Sequence, residues 1–379
     1  AQRLVRTLCR HCKMADKPNQ AERTMMDRQD QPTPKIFRPR GCSKCLNTGY
    51  LGRLALFELL VVDNVVKQAI QSSTISSLQE ALDLCVECKA CKAECPSSVD
   101  MAKIKFEYLS RYYKDNPVPF RVRFFANIAR GSRICSGWRA PLANALVGLP
   151  VSRWLLEKIL GISRKRKLPR FALVPFTSWF KNRNVPEASS VPVEEADHAD
   201  IRDSKPQRNR RRVVLFNDTF NTYNDPDVAI AATEVLEAAG YEVILPGHWC
   251  CGRPMVSKGL VAQARAGARS TTEKLYPFVS EGMPVIGLEP SCILTLKDEY
   301  LSLLPDDNRV KEIAEAVVTF EEFVASEVES GSFALQFSPD AGDVLLHGHC
   351  HQKALVGMVP SRQALENAGF KVDEVDAGC

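Results

Sequence analysis

Residues 239–250 read AGYEVILPGHWC, and residues 368–379 read AGFKVDEVDAGC. The two stretches align without a gap. In each, a helical pattern runs out in Ala-Gly, a short β-rich run follows, and a turn leads to a cysteine. Glycine suits the position just past a helix C-terminus. Self-similarity at a fixed offset marks a duplicated unit. Ligands commonly sit at the carboxyl ends of strands in open α/β sheets. Cys250 and Cys379 are therefore expected to be equivalent positions in two half-repeats. Outward from these stretches, VVLF (213–216), DPDVAIAATEVLEAAG (225–240), PVIGLE (284–289), DVLLH (343–347) and FKVDEV (370–375) alternate strand and helix patterns. Such alternation predicts a parallel α/β sheet over 213–379.

This region carries its own cysteines. HWCCGRP gives Cys250 and Cys251, LEPSC gives Cys292, HGHCHQKA gives Cys350, and DAGC gives Cys379. Adjacent side chains of an extended segment diverge. A Cys-Cys pair therefore suits a larger or unusual cluster, or a redox thiol pair, better than one ordinary metal ion. His347, His349 and His351 flank Cys350. They read as a polar turn beside the site more readily than as ligands. The five cysteines form a candidate site for a second iron–sulfur cluster, with zinc and an empty site as the alternatives.

A second pattern lies at 82–100, LDLCVECKACKAECPSSVD. Cys85, Cys88, Cys91 and Cys95 are spaced C-x2-C-x2-C-x3-C, and Pro96 follows. A short turning segment with that spacing presents three thiolates to one cubane cluster. In two-cluster ferredoxins the fourth cysteine serves the other cluster. Only one such run occurs here, so Cys95 serves either this cluster or another. The plainer alternative is a zinc knuckle. Nearer the start, Cys9 and Cys12 pair with Cys42 and Cys45 as C-x2-C-x29-C-x2-C. Two such knuckles close a tetrathiolate zinc site with no open position. His11 is a spacer within the first knuckle.

Composition bounds the rest. The chain has 379 residues, 45% of them apolar, enough for two or three domains with buried cores. Its fourteen cysteines fall mostly in close-spaced sets, and no secretory signal precedes them, so they read as metal ligands rather than disulfides. Cys135 stands alone as a small hydrophobe. The net charge of +5 points to no particular partner. Arginines at 208–212 end a polar, proline-containing stretch, residues 182–212, which reads as a linker and not as a nucleic-acid arm. The most apolar stretch, APLANALVGLPVSRWLLEKILGI (140–162), is broken by Pro150, Arg153, Glu157 and Lys158. It predicts a buried or surface-lying amphipathic helix, not a membrane span. No Gly-Lys dipeptide occurs, so there is no P-loop, and neither G-x-G-x-x-G nor G-x-S-x-G appears.

Two resemblances follow from these motifs. QRLVRTLCRHCK and GCSKCLNTGYLGRLALFELLVVDNVVKQAI look like the C-terminal zinc region of the type II secretion and type IV pilus ATPases, the E family. The elements CCG, PSC and GHCHQK, with ALDLCVECKACKAECPSSVDMAKIKFEYL and LPRFALVPFTSWFKNR, resemble heterodisulfide-reductase-like proteins and the Fe–S half of FAD-linked glycolate or D-lactate oxidoreductases. In that family the CCG element continues past Cys379. The first half-repeat has FNDTFNTY where the second has the Cys350 segment, which leaves one ligand position empty.

The resemblances imply an α+β multi-domain chain. A tetracysteine zinc subdomain spans 1–78, a helical ferredoxin-type 4Fe-4S domain 79–181, a linker 182–212, and a duplicated CCG domain with a parallel sheet 213–379. The implied function is electron transfer from a flavin domain through the 4Fe-4S cluster to the CCG site and an acceptor such as quinone. FAD enters only through a missing domain or a flavoprotein partner. The expected location is cytoplasmic, with peripheral attachment to the cytoplasmic face of the inner membrane as an option, and nucleic acid is not an expected partner. The alternatives are a secretion-ATPase-derived zinc-binding assembly component without ATPase activity, and a structural protein holding only zinc. The joining of two unrelated pieces reads as a fused or fragmentary gene product.

Overall fold

The computed structural model describes residues 2–18, 35–57, 82, 84–96, 98–183, 211–333, 335, 337 and 340–375. Most of the segment read as a linker, and Cys379, lie outside the described residues. The chain divides into two compact units, Ala1–Ala81 and Leu82–Cys379.

In the first unit, strand β1 (Gln2–Leu8) pairs antiparallel with β4 (Tyr50–Phe57), and β2 (Met14–Asp16) with β3 (Ile36–Arg38). The cysteine knuckles sit where the ribbons turn. Cys9 follows β1 directly, and a one-turn 3-10 helix before β4 has Cys42 as its N-cap and Cys45 as its last residue.

The second unit opens with helices. These are α1 (Ala90–Glu94), α2 (Met101–Asp115), α3 (Phe120–Ala126), α4 (Ile128–Cys135), α5 (Ala140–Gly148), α6 (Pro150–Leu160) and α7 (Phe176–Asn182). The Asp100 side chain caps α2 by accepting the Lys103 amide at 3.1 Å. Then strands and helices alternate: β5 (Arg211–Phe216), α8 (Thr219–Tyr223), α9 (Pro226–Ala238), β6 (Tyr241–Ile244), α10 (Arg253–Ser257), α11 (Val261–Val279), β7 (Val285–Gly287), α12 (Pro290–Lys297), α13 (Glu299–Leu303), α14 (Asn308–Ala316), β8 (Val317–Thr319) and α15 (Phe320–Glu329). The last segment is β9 (Gly342–Leu346), α16 (Cys350–Leu355), α17 (Val359–Asn367) and β10 (Phe370–Glu374).

Mixed helix and sheet with parallel strands is the observed class. The main sheet has the order β6-β5-β7-β8, all parallel, and β9 and β10 form a separate parallel pair. Strand β5 reads as an unbroken apolar run because both faces are covered. Val213 and Leu215 pack with Leu236, Ile286 and Phe323 on one side. Val214 and Phe216 pack with Cys250, Cys251 and Cys292 on the other. Full burial of each such side chain contributes roughly 1.5–3 kcal/mol. Strand β5 starts at Arg211, two residues before the apolar run. Arg211 and Arg212 reach Glu327 at 3.1 Å and Glu281 at 3.2 Å, so the end of the arginine run belongs to the sheet. Helices α9 and α17 both end in Ala-Gly, with Gly240 and Gly369 at φ +90°, a left-handed conformation that glycine adopts without a Cβ penalty.

Candidate metal and cluster sites

The four N-terminal thiols converge. Cys9 Sγ lies 3.9 Å from Cys42 Sγ, Cys12 Sγ 3.7 Å from Cys45 Sγ, and Cys42 Sγ 3.7 Å from Cys45 Sγ. All four sulfurs lie within 4.8 Å of one another. A tetrahedron with metal–sulfur bonds near 2.3 Å has edges of about 3.8 Å. The cage therefore already has the dimensions of a tetrathiolate metal site. Among the described residues no other set of three or more ligating side chains closes so tightly. Burial opposes ionisation of Cys45, but the Cys42 and Gly49 amides, donating to its sulfur at 3.2 and 3.3 Å, help to lower its pKa to about 6. Burial raises Cys12 to about 11. A ready thiolate at Cys45 beside the protonated Cys12 thiol is a set from which an entering cation expels a proton.

In the second unit, Cys85 and Cys88 stand on a turn, Cys91 lies in α1, and Cys95 follows it. All four are half-buried. The Met101 amide points at Cys91 Sγ at 3.4 Å, and Lys105 Nζ donates to the Cys85 carbonyl at 2.7 Å. Burial pushes the Cys85 thiol up. Four cysteines on one turn-and-helix segment, with an amide directed at a sulfur, suit a cluster, whose cage is wider than that of a single ion.

Cys250 stands beyond the carboxyl end of β6, and Cys251 follows it. Gly252, at φ +83°, then turns the chain into α10, which is why a glycine follows the pair. Cys292 lies in the first turn of α12. Cys250, Cys251 and Cys292 are buried in one core, and the Cys251 thiol touches both of the others. Cys250 is held well above the ordinary thiol range by Cys251 and then by burial. For Cys292 the Cys251 contact pulls the pKa down, but burial and the carboxylates of Asp218 and Glu289 raise it. Cys350 opens α16, which packs against both α12 and α1; it is disulfide-bonded, which departs from the expectation that the chain's cysteines are ligands rather than disulfides. The structure brings Cys250, Cys251 and Cys292 together; Cys379 lies outside the described residues.

A buried charge network joins the cluster loop to the sheet domain, and the sequence reading missed it. Glu87 and Lys89 lie between the cysteines of the loop, at φ 60° and 63°. Their side chains are 3% and 0% exposed. Lys89 pairs with Asp298, with Glu299 at 2.7 Å and with Asp100 at 3.7 Å. Lys92 and Lys103 also reach Asp298, at 2.9 and 3.0 Å. Arg253, the residue after Gly252, bridges Glu299 at 3.0 Å and Glu87 at 3.3 Å. His351, next to Cys350, places Nε2 2.9 Å from the Glu87 carbonyl. That contact suits an Nε2–H donor. Burial, with Arg253 nearby, lowers the His351 pKa to about 4, so the ring is neutral at pH 7. Burial opposes the charge on Asp298, but its three lysines outweigh it and hold the carboxyl far below its usual range. Left-handed non-glycine residues are costly and persist where surrounding contacts over-determine them. Here the ion pairs do so. Charged residues between the cysteines of CVECKAC were the one sequence signal that could have pointed to the network.

A family model described as "Type II/IV secretion system protein" matches residues 1–94. The chain is also similar to proteins of a different class, the dehydrogenases. One subunit of the anaerobic glycerol-3-phosphate dehydrogenase of Escherichia coli K12 is 27% identical over 243 residues, 63% of this chain and 56% of that protein. D-2-hydroxyglutarate dehydrogenase of the same strain is 24% identical over 305 residues, 80% of this chain and 28% of that protein. Type II secretion system protein E of Aeromonas hydrophila is 43% identical over 74 residues, 20% of this chain and 15% of that protein. The chain thus spans about half the length of the first dehydrogenase relative and little more than a quarter of the second. No solved structure matches it. Two unrelated resemblances in one polypeptide agree with the reading from the motifs, and neither dehydrogenase relative is a glycolate or D-lactate enzyme by name.

Proposed function

We propose that residues 82–379 are the iron–sulfur electron-transfer portion of a flavin-linked dehydrogenase of the 2-hydroxy-acid class, with a zinc-stapled subdomain ahead of it. Cys85, Cys88, Cys91 and Cys95 are the residues to hold a 4Fe-4S cluster. Cys250, Cys251 and Cys292, with Cys379 and, once its disulfide is reduced, Cys350, would form the second site, and Cys9, Cys12, Cys42 and Cys45 would bind zinc. A bound cluster supplies one-electron transfer. The protein's own residues do the rest. The Met101 amide donates toward Cys91 Sγ, and the buried network fixes the loop. Hydrogen bonds to thiolate sulfur and limited solvent access set a cluster's potential. The observation that carries the reading is the seating of the cluster loop beside the Cys-Cys-Gly turn: Arg253 of that turn is paired with Glu87 of that loop. Electrons would arrive from a flavoprotein domain or subunit and leave to an acceptor such as quinone.

A membrane-surface location fits this acceptor. Pro117 to Arg183 holds fourteen lysines and arginines and one acidic residue, Glu157. Helices α5 and α6 pack together and leave Leu142, Leu146, Val151 and Leu155 exposed, with Trp138 84% exposed just ahead of them. No helix among the described residues is long and apolar enough to cross a membrane. Basic charge beside exposed apolar and aromatic side chains suits a helix pair lying on anionic lipid. The protein is expected to float with vesicles containing phosphatidylglycerol at low salt, and L142E/L155E to abolish this. Equal flotation with neutral vesicles, or none at all, would remove the membrane from the reading.

The second reading, a zinc-binding component derived from a secretion ATPase, is favoured by the tetracysteine cage and the match over 1–94. Metal and acid-labile sulfide analysis of protein purified without oxygen separates the two. About one zinc with about four iron and four sulfide per chain is expected, more iron if the second site fills. Cys88→Ser should lose the absorbance and the iron of this cluster yet keep the zinc. Colourless protein with zinc alone would leave the secretion-related reading.

A further inference from the structure

Strand pairing gives the two halves of the sheet domain a common frame. In the pair β5–β6, Arg211 lies opposite Tyr241; in β9–β10, Gly342 lies opposite Phe370. Tyr241 and Phe370 occupy the same place in the two aligned stretches. Counting forward equally from Arg211 and from Gly342 reaches Asp218 and His349. Each is the N-cap of the helix that follows, and each side chain accepts a first-turn amide. The next residue is Thr219 in the first half and Cys350 in the second. Thr219 is 8% exposed, and its Oγ1 lies 3.9 Å from Cys250 Sγ.

We propose that Thr219 occupies the fourth corner of a half-site whose other corners are the thiols of Cys250, Cys251 and Cys292. This rests on reading those cysteines as cluster ligands. The first half-site is then closed by three thiolates and a hydroxyl, where the second half carries a cysteine. A hydroxyl is a far poorer iron ligand than a thiolate at neutral pH, but it can donate a hydrogen bond to the Cys250 sulfur. The corner is left for a ligand that exchanges, and iron held there is less firmly bound than iron gripped by four thiolates. The burial of Thr219 against Cys250 explains why the corner is shaped for a small polar side chain.

The test is Thr219→Cys in the full chain, with two readouts. In metal-free protein, mild thiol oxidation should form a new disulfide between position 219 and Cys250, found by peptide mapping. Asn217→Cys, a thiol two residues away, should not give it. In protein purified without oxygen, T219C should slow chelator-driven loss of the iron that survives Cys88→Ser by tenfold or more. Failure of the cross-link means that Thr219 is not at the site and overturns the proposal. A cross-link with unchanged iron retention overturns the assignment of Thr219 to the ligand corner. If neither wild type nor T219C holds iron beyond that lost in Cys88→Ser, the cluster reading of these cysteines fails and the corner falls with it, whatever the cross-link shows.

Discussion

Lys89→Met is expected to lower the stability of the second unit by about 3 kcal/mol. The Lys89 side chain is fully buried and paired with Asp298, Glu299 and Asp100. Removing one member of a buried ion pair typically costs about 3–5 kcal/mol, because the partner charge is left without compensation. The lower end applies here. Asp298 keeps Lys92 and Lys103, and Glu299 keeps Arg253. Methionine fills the volume, so the loss is electrostatic rather than a cavity effect. Urea unfolding followed by tryptophan fluorescence measures it; an unchanged midpoint would mean that the network does not hold the loop.

The same network sets the pH window. Asp298 has a folded pKa below its unfolded value. Its contribution is therefore present above the ordinary carboxylate range, near pH 4, and is lost as pH falls toward the folded value. For Lys89, burial opposes the charge, but Glu299 and Asp298 outweigh it and raise the pKa. Its contribution holds below the ordinary lysine value, near 10.4, and is lost as pH rises through the folded one. Wild type is expected to lose stability below about pH 4, and Lys89→Met to lose less there, since one favourable interaction of Asp298 is already gone.

Cys45→Ser should take the first unit from about one bound zinc per chain to none. Its sulfur touches those of Cys12 and Cys42 and accepts the Cys42 and Gly49 amides, so it is the best prepared of the four to ligate as a thiolate. A serine hydroxyl offers no comparable charge. Both ribbons of this unit are short, and isolated two-stranded pairs are marginal in water. Metal loss should therefore remove their protection from amide exchange, while the second unit keeps its own. Mass-spectrometric hydrogen exchange of the variant, with and without added zinc, is the measurement. Protection of β1 and β4 that survives without zinc would mean that strand packing alone holds the unit.

The grouping of the thiols was legible because it depends on spacing. The thiols of one site must lie close together, and short sequence separations enforce that for Cys85, Cys88 and Cys91 and within each N-terminal knuckle. The alternation of strand and helix was legible for the same local reason: both faces of β5 are covered, so its residues read as one apolar run. Strand β8 (Val317–Thr319) escaped the reading because three residues between α14 and α15 carry no period of their own; pairing with β7 makes them a strand. The strands of the first unit escaped it as well, since β1 and β4 are partners across more than forty residues of sequence.

The sequence by itself determined the inventory: three groups of thiols, an α/β repeat, and two unrelated resemblances. Tertiary structure decided which groups meet. Lys89 and Asp298 are 209 positions apart, and Glu87 and His351 264 apart. No local pattern announces such pairs, because a charge reads as solvated until a core closes over it. Folding removes the water, and only then does each buried charge require the particular partner that fixes the cluster loop beside the Cys-Cys-Gly turn.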